Sequence, residues 1–206
     1  MSKPAARSSA WSSSKPLAVS ATISVLFPPH VPYLLLSPWP TADLREHGFV
    51  RIGHPPLMVR FPAPPARLPR WSGEVREIRD PAELAVAERV LVEGYPMPEL
   101  DPLTPGDLLG PTLLRTATRL WIAWLDGVAV AMAAAHSAAG VTLVEYVASL
   151  PAARGRGAGA AVTWAATLAD PDRPAVLIAS DDGRPVYSRM GFLAVERWSA
   201  WLRPAR

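Results

Sequence analysis

Arg154-Gly155-Arg156-Gly157-Ala158-Gly159 stands between an apolar, strand-like run, Thr142 to Ser149, and an alanine-rich, helix-forming run, Ala160 to Ala169. A strand feeding a glycine-rich turn that opens a helix is a phosphate cradle. Glycines let the backbone approach a diphosphate, the first helical N–H groups have no intrahelical partner, and the helix dipole places about half a positive charge there. Arg154 and Arg156 add two full charges. A purely structural turn is disfavoured, because alternating glycines weaken both neighbouring elements with no packing gain.

The flanking sequence reads as alternating strands and helices. Leu120 to Leu125 and Val128 to Ala133 are apolar runs joined by Asp126-Gly127, the dipeptide favoured for a type I′ hairpin turn. Thr142 to Ser149 is then a third consecutive strand. Upstream, Glu74 to Ile78 is a short strand, and Asp80-Pro81-Ala82-Glu83 supplies an N-cap, a first-turn proline and an acid for a helix running to Gly94. Pro96 to Pro105 is a proline-rich loop, and Gly106 to Thr118 is expected to contain a second, shorter helix. Downstream, Ala175 to Ala179 is a short buried strand, Asp182 caps a helix through Met190, and Phe192 to Leu202 closes the chain as one or two strands. Trp121 and Trp124 have opposite strand parity and read as packing residues on different faces.

Prolines punctuate the region before residue 70: Pro28, Pro29, Pro32, Pro38, Pro40, Pro55 and Pro56 exclude long helices. Val31 to Leu36, Phe49 to Ile52 and Leu57 to Phe61 remain as short strands, and Phe61 to Pro69 reads as a stiff linker. Residues 1–20, rich in Ser, Ala and Lys, read as a flexible tail. The expected organisation is therefore a tail over 1–20, a proline-rich segment over 21–68 and a catalytic domain over 69–206. Gly48-Phe49 precedes Arg60 by the spacing at which Gly191-Phe192 precedes Arg203. This match marks residues 21–68 as a possible remnant of a repeated unit that lacks the glycine cradle.

Composition narrows the chemistry. The chain has 206 residues, is 50% apolar and carries a net charge of +3, so it can bury a core and shows no basic, aromatic-interleaved surface for nucleic acid. Cysteine is absent, which excludes thiolate metal sites and cysteine nucleophiles and suits a reducing, cytoplasmic setting. Lysine occurs only at Lys3 and Lys15, so a P-loop lysine is excluded from the folded part. His30, His47, His54 and His136 lack a helical ligand pair, and no metal is expected. Leu17 to Phe27 is shorter than the ~20 residues a membrane span needs, and no membrane association is expected.

Two motifs carry a resemblance. Ser149-Leu150-Pro151-Ala152-Ala153-Arg154-Gly155-Arg156-Gly157-Ala158-Gly159 resembles the acyl-CoA signature of the GNAT superfamily of N-acyltransferases, Gln/Arg-x-x-Gly-x-Gly/Ala, matched by Arg154, Gly157 and Gly159. Val186-Tyr187-Ser188-Arg189-Met190-Gly191-Phe192 resembles the family's tyrosine, short helix and Gly-Phe ending. The resemblance covers about two thirds of the chain. It implies a mixed α/β fold, with a largely antiparallel central sheet and flanking helices. It also implies acetyl-CoA as cosubstrate and a small-molecule or peptide amine as acceptor.

Carried over residue by residue, the resemblance implies that Val147, Ala148 and Ser149 offer backbone groups to the thioester and pantetheine. Arg154, Gly155, Arg156, Gly157, Ala158 and Gly159 would hold the diphosphate. A backbone N–H near Val147 to Ser149 would stabilise the oxyanion, a role typically worth about 3 to 4 kcal/mol. Tyr187 stands at the family's general-acid position. Glu145 is a candidate base, placed by strand alternation on the face of Val147 and Ser149 and opposite Tyr146. Glu93, Tyr95 and Glu99 fall where the family keeps its acceptor loop. The competing readings are a noncatalytic acyl-CoA sensor and a dinucleotide-dependent oxidoreductase. The latter rests on Gly155-x-Gly157-x-x-Ala160 with Asp181 as the distant acid. The acceptor, the acyl-chain preference and the oligomeric state are left open.

Overall fold

The computed structural model describes residues 32–65, 68–95 and 103–204. Contacts divide the chain into two units, Pro56–Glu196 and Met1–Pro55 with Arg197–Arg206. The expected tail over 1–20, the apolar run Leu17 to Phe27 and most of the Pro96 to Pro105 loop, with Glu99, lie outside the described residues.

The larger unit is built on strands β3 (Pro56–Arg60), β4 (Glu74–Glu77), β5 (Thr118–Leu125), β6 (Val128–Ala138), β7 (Val141–Ser149), β8 (Ala175–Ile178) and β9 (Leu193–Arg197). Their order in the sheet is β4-β5-β6-β7-β8-β3-β9. β4 to β7 are successively antiparallel, β7 and β8 are parallel, and β3 runs antiparallel to β8. This is the mixed, largely antiparallel sheet that the sequence implies. The β5–β6 hairpin turns on Asp126 and Gly127, at φ 49° and 78°, as a type I′ turn requires.

Helices α1 (Pro81–Gly94) and α2 (Ala158–Thr167) cover opposite faces of the sheet. The alanines of β6 are the reason both can approach. Ala129 and Ala134 pack among Leu84, Val90 and Leu91 of α1, whereas Ala131, Ala133 and Ala135 pack among Val162, Trp164 and Ala166 of α2. Trp121 joins the α2 face and Trp124 the α1 face, as their parity requires. Asp80 caps α1 by accepting from the Ala82 N–H at 2.8 Å.

Gly106 to Thr118 departs from expectation, forming only a 3-10 helix over Pro111–Arg115. The cause is Glu88 of α1, whose fully buried carboxylate accepts the backbone N–H groups of Gly106 at 2.7 Å, Leu108 at 2.6 Å and Leu109 at 3.1 Å. Those donors satisfy the buried charge and hold residues 106–109 against α1 in a non-helical path. The helix after β8 also starts later than expected. α3 spans Arg184–Arg189 and has no side-chain cap; Ser180 Oγ instead accepts the Gly183 N–H at 3.1 Å, so Asp182 does not cap it.

The smaller unit is a three-stranded antiparallel sheet, β1 (Tyr33–Ser37), β10 (Ser199–Arg203) and β2 (Val50–Gly53), in the order β1-β10-β2. Leu44, Phe49 and Trp201 form its core, and the Trp201 indole N–H donates to Thr41 Oγ1 at 2.8 Å.

The division between units therefore differs from the one placed near residue 70. β3 precedes that point, yet it lies between β8 and β9, while β10 leaves the large sheet altogether. Local periodicity identifies each strand but carries no information about a partner more than 100 residues away. The two Gly-Phe segments have some local features in common. Gly48 and Gly191 both have positive φ, at 80° and 88°. Tyr33 meets Phe49 edge-on at 5.6 Å, and Tyr187 meets Phe192 at 6.1 Å. Arg60 and Arg203 end β3 and β10 as buried arginines, the first over the Trp164 ring at 4.8 Å and the second over Tyr33 at 5.6 Å.

Met58, 1% exposed at the centre of β3, tests this assignment. Met58→Ala is expected to lower the unfolding free energy by about 3 kcal/mol in urea titrations of the full chain, the usual cost of truncating a buried methionine. A loss below about 0.5 kcal/mol would mean that residues up to 68 are a detachable segment.

Candidate functional site

Pairing between β7 and β8 is confined to Thr142↔Ala175 and Leu143↔Val176. Beyond them the strands part, although β7 stays paired to β6 as far as Ala131↔Ser149. A bulge lies in β7 at the point of parting: the β6 register steps from Met132↔Ala148 to Ala134↔Glu145, and Tyr146 takes φ 51°. An extra residue of this kind bends a strand and sharpens its twist, and a tyrosine in the left-handed region costs about 1–2 kcal/mol. The backbone of Val147 to Ser149 is left facing an opening instead of a neighbouring strand.

A cleft of about 530 Å³ occupies that opening. Val147, Ala148 and Ser149 line it from β7, Arg154, Gly155, Gly157, Ala158 and Gly159 from the glycine turn, and Tyr187 from α3. Nine of the sequence-derived site residues thus converge on one cavity. Arg156 is exposed and lies outside the lining, as does Glu145. Sequence reading missed Gly94, Thr163, Ser180, Asp182, Gly183 and Arg189, which also line the cleft. Tyr95, noted only for the acceptor loop, lines it as well.

The turn has the conformation its glycines permit. Gly155 and Gly157 have φ 75° and 93°, and Gly157 is the N-cap of α2, with no side chain capping that end. The Ala161 N–H is the first to bond back into the helix, to the Gly157 carbonyl at 2.9 Å. The N–H groups of Ala158, Gly159 and Ala160 therefore point out of the helix end with the positive pole of its dipole. A Cβ on Gly157 would come within 2.6 Å of the Arg70 carbonyl oxygen, and one on Gly159 within 2.8 Å of Ser149 Oγ. Glycine is required at 157 by both φ and space, whereas a side chain at 159 would only have to turn the Ser149 hydroxyl aside.

Arg154 is tied to protein carbonyls. Its guanidinium donates to the Gly94 oxygen at 3.0 Å and, through Nε, to the Ser149 oxygen at 3.4 Å. It thereby joins the C-terminal end of α1 to the end of β7. Gly94 makes this approach possible, since a Cβ there would lie 3.0 Å from Ala148 Cβ and 3.1 Å from the Ser149 nitrogen.

Tyr187 is 8% exposed, with its ring packed on Phe192 and over Gly183, where a Cβ would lie 2.7 Å from the ring. Burial pushes its phenol well above the ordinary tyrosine range, with a further rise from Tyr95. Glu145 is half-buried; burial raises its carboxyl, and the neighbouring His136 lowers it. His136 Nδ1 lies 2.9 Å from Thr118 Oγ1. The face assigned to Glu145 by simple alternation is corrected by the bulge. Glu145 stands opposite Ala134 and on the face of Ala148, toward α1, whereas Val147 and Ser149 have the other parity. Among the described residues no group of His, Asp and Glu is placed to hold a metal ion, and no helix is long and apolar enough to cross a membrane.

No protein-family model and no curated protein matches the chain. Solved structures do. A GCN5-related N-acetyltransferase from Kribbella flavida superposes with a TM-score of 0.57 at 26% identity, over 79% of this chain and 63% of that one. A putative GNAT-family acetyltransferase from Novosphingobium aromaticivorans gives 0.63 at 21% identity, over 91% and 80%. A GCN5-related N-acetyltransferase from Sphaerobacter thermophilus gives 0.60 at 16% identity, over 90% and 64%. The chain thus spans less than two thirds of the Kribbella and Sphaerobacter proteins. The fold is that of the GNAT acetyltransferases.

The two positive-φ glycines of the turn separate conformational strain from crowding. Gly155→Ala faces open space and is expected to cost about 1 kcal/mol of stability. Gly157→Ala must also displace the Arg70 carbonyl, and at least twice that loss is expected. Urea unfolding of the two variants measures both, and equal losses would show that the Arg70 carbonyl does not crowd the turn.

Proposed function

We propose that this chain, which has the GNAT fold, is an acyl-CoA-dependent N-acyltransferase that moves an acetyl group from acetyl-CoA to an amine by direct attack. The observation that carries the reading is the convergence of three features on one cleft: the unpaired end of β7, the uncapped N-terminus of α2 and the phenol of Tyr187. A thioester cofactor offers three matching parts. Its diphosphate suits the N–H groups of Ala158 to Ala160, its amide-bearing pantetheine arm suits the exposed backbone of Val147 to Ser149, and its sulfur would lie toward Tyr187.

In this reading the backbone N–H groups at the end of β7 stabilise the oxyanion formed as the amine nitrogen bonds to the thioester carbon. Tyr187 then donates its proton to the departing thiolate as the carbon–sulfur bond breaks. Burial keeps that phenol protonated at all working pH values, and it also makes it a weak acid. A thiolate leaving into the same poorly hydrated cleft is itself more basic than in water, which narrows the mismatch. Glu145 accepts the amine proton. Because it projects toward α1, away from Val147 and Ser149, it acts through an intervening water.

Two measurements test the reading. Free thiol released from acetyl-CoA is followed across a library of amines, and at least one acceptor is expected to give turnover; binding of CoA with no turnover of any amine would leave a sensor. With that acceptor, Tyr187→Phe is expected to lower kcat about 100-fold with little change in the KM for acetyl-CoA. The raised phenol predicts no loss of kcat up to about pH 9.5 from Tyr187 ionisation. The raised Glu145 carboxyl predicts that kcat/KM falls as pH drops through a midpoint above the usual carboxylate range, as Glu145 takes up a proton and ceases to be a base. Glu145→Gln should abolish that limb, and an unchanged profile would remove Glu145 from the mechanism.

A further inference from the structure

Glu145 reaches the α1 face of the sheet without a bonded partner. Among the described residues its carboxylate makes no hydrogen bond and no ion pair, although it is half-buried. A carboxylate so placed stays ionised at less cost where a neighbour supplies opposite charge. The strand register identifies that neighbour. His136 of β6 stands opposite Leu143 of β7, and Glu145 lies two residues further along β7, opposite Ala134. The two side chains are therefore diagonal neighbours on one face, within reach of each other for long side chains.

Thr118 of β5 completes the row. It pairs directly with His136 across the β5–β6 ladder, and its Oγ1 lies 2.9 Å from His136 Nδ1. Since β5 and β7 flank β6, the ring is tied to β5 through one nitrogen. Its Nε2 makes no hydrogen bond among the described residues and is left on the side away from Thr118. The imidazole also acts on Glu145 electrostatically, opposing the rise that burial causes.

Other charged groups on the elements of this face are engaged or exposed. α1 brings Glu88, held by three backbone N–H groups, and Arg89 and Glu93, paired with each other. Asp107 and Arg115, from the segment that packs beside α1, are exposed. Tyr146, next to Glu145 on β7, has its phenol raised by burial and by the Glu145 charge. Among the described residues, His136 is the group whose charge favours the ionised Glu145 carboxylate.

We infer that His136 is a positioning residue for the proton-accepting step: anchored by Thr118, it faces the Glu145 carboxylate as a counter-charge and holds it for the proton that the attacking amine releases. The proton goes to Glu145, and His136 exchanges none with the substrate. The inference rests on the reading of Glu145 as the base and adds the row Thr118, His136 and Glu145, drawn from three strands.

The pH profile of kcat/KM, measured on the full chain with one acceptor amine, tests it. Histidine is positively charged in the acidic range where a carboxylate takes up its proton. His136→Gln is therefore expected to move the midpoint of the acid limb upward, by about half a pH unit for charges at this separation. Thr118→Val, which frees the ring, is expected to give a smaller shift in the same direction, and Thr118→Ser, which keeps the hydroxyl, to restore the wild-type midpoint. A merely structural role for His136 would lower kcat/KM at every pH without moving the midpoint. Carbon-13 NMR titration of the Glu145 carboxyl in wild type and His136→Gln reads the same shift without turnover. An acid limb that Glu145→Gln removes but His136→Gln leaves in place would overturn the inference and keep Glu145 as the base. A limb that survives Glu145→Gln would overturn both, as would failure of every amine to turn over.

Discussion

β7 and β8 run side by side for two residue pairs and then separate, and the cleft exists because of that separation. Had the strands stayed paired to their ends, the backbone of Val147 to Ser149 would be consumed in the ladder. The bulge at Tyr146 sets the parting, and the rest of the site follows from it. α2 starts beside the opening, α3 carries Tyr187 to its far edge, and the end of α1 closes over it through Gly94 and Arg154. A strained non-glycine residue held in the left-handed region persists only where its surroundings over-determine it. Here they do so through pairing to β6 on both sides of the bulge.

Small residues have two different tasks in this architecture. In β6 a run of alanines keeps the sheet thin enough for a helix on either face, and the core around it is predominantly apolar. Around the cleft, glycines at 94, 157 and 183 let backbone or ring atoms come closer than a Cβ allows. The first group serves packing, and a larger side chain there would push a helix off the sheet. The second serves the shape of a cavity, where tenths of an ångström decide what fits.

Much of this was legible in the residues alone, because it is written in local chemistry. Asp126-Gly127 specifies its turn, Asp80-Pro81 specifies a helix start, and the glycine turn announces an exposed helix end. What could not be read is non-local or breaks a period. The face of Glu145 was misassigned because alternation holds only in an unbroken strand and nothing in Val144-Glu145-Tyr146-Val147 marks a bulge. Nothing in the helix pattern sets Glu88 apart, and only the fold brings residues 106–109 to its carboxylate. The sequence offers Arg154 as a charge for the diphosphate and is silent on its partners, which are carbonyls brought near by tertiary packing. The linker before residue 70 looked like a boundary because its composition is that of one, although the strand ahead of it belongs to the sheet behind it.

The crossing of β3 and β10 has a temporal meaning. A chain emerging from the ribosome presents β1 and β2 first, yet the strand that lies between them, β10, follows all of β3 to β9. β3 in turn must wait for β8 and β9. The edges of the early strands therefore stay open until those later strands have been made. Loss of β10 would be felt first at β1 and β2, the two early strands that it joins.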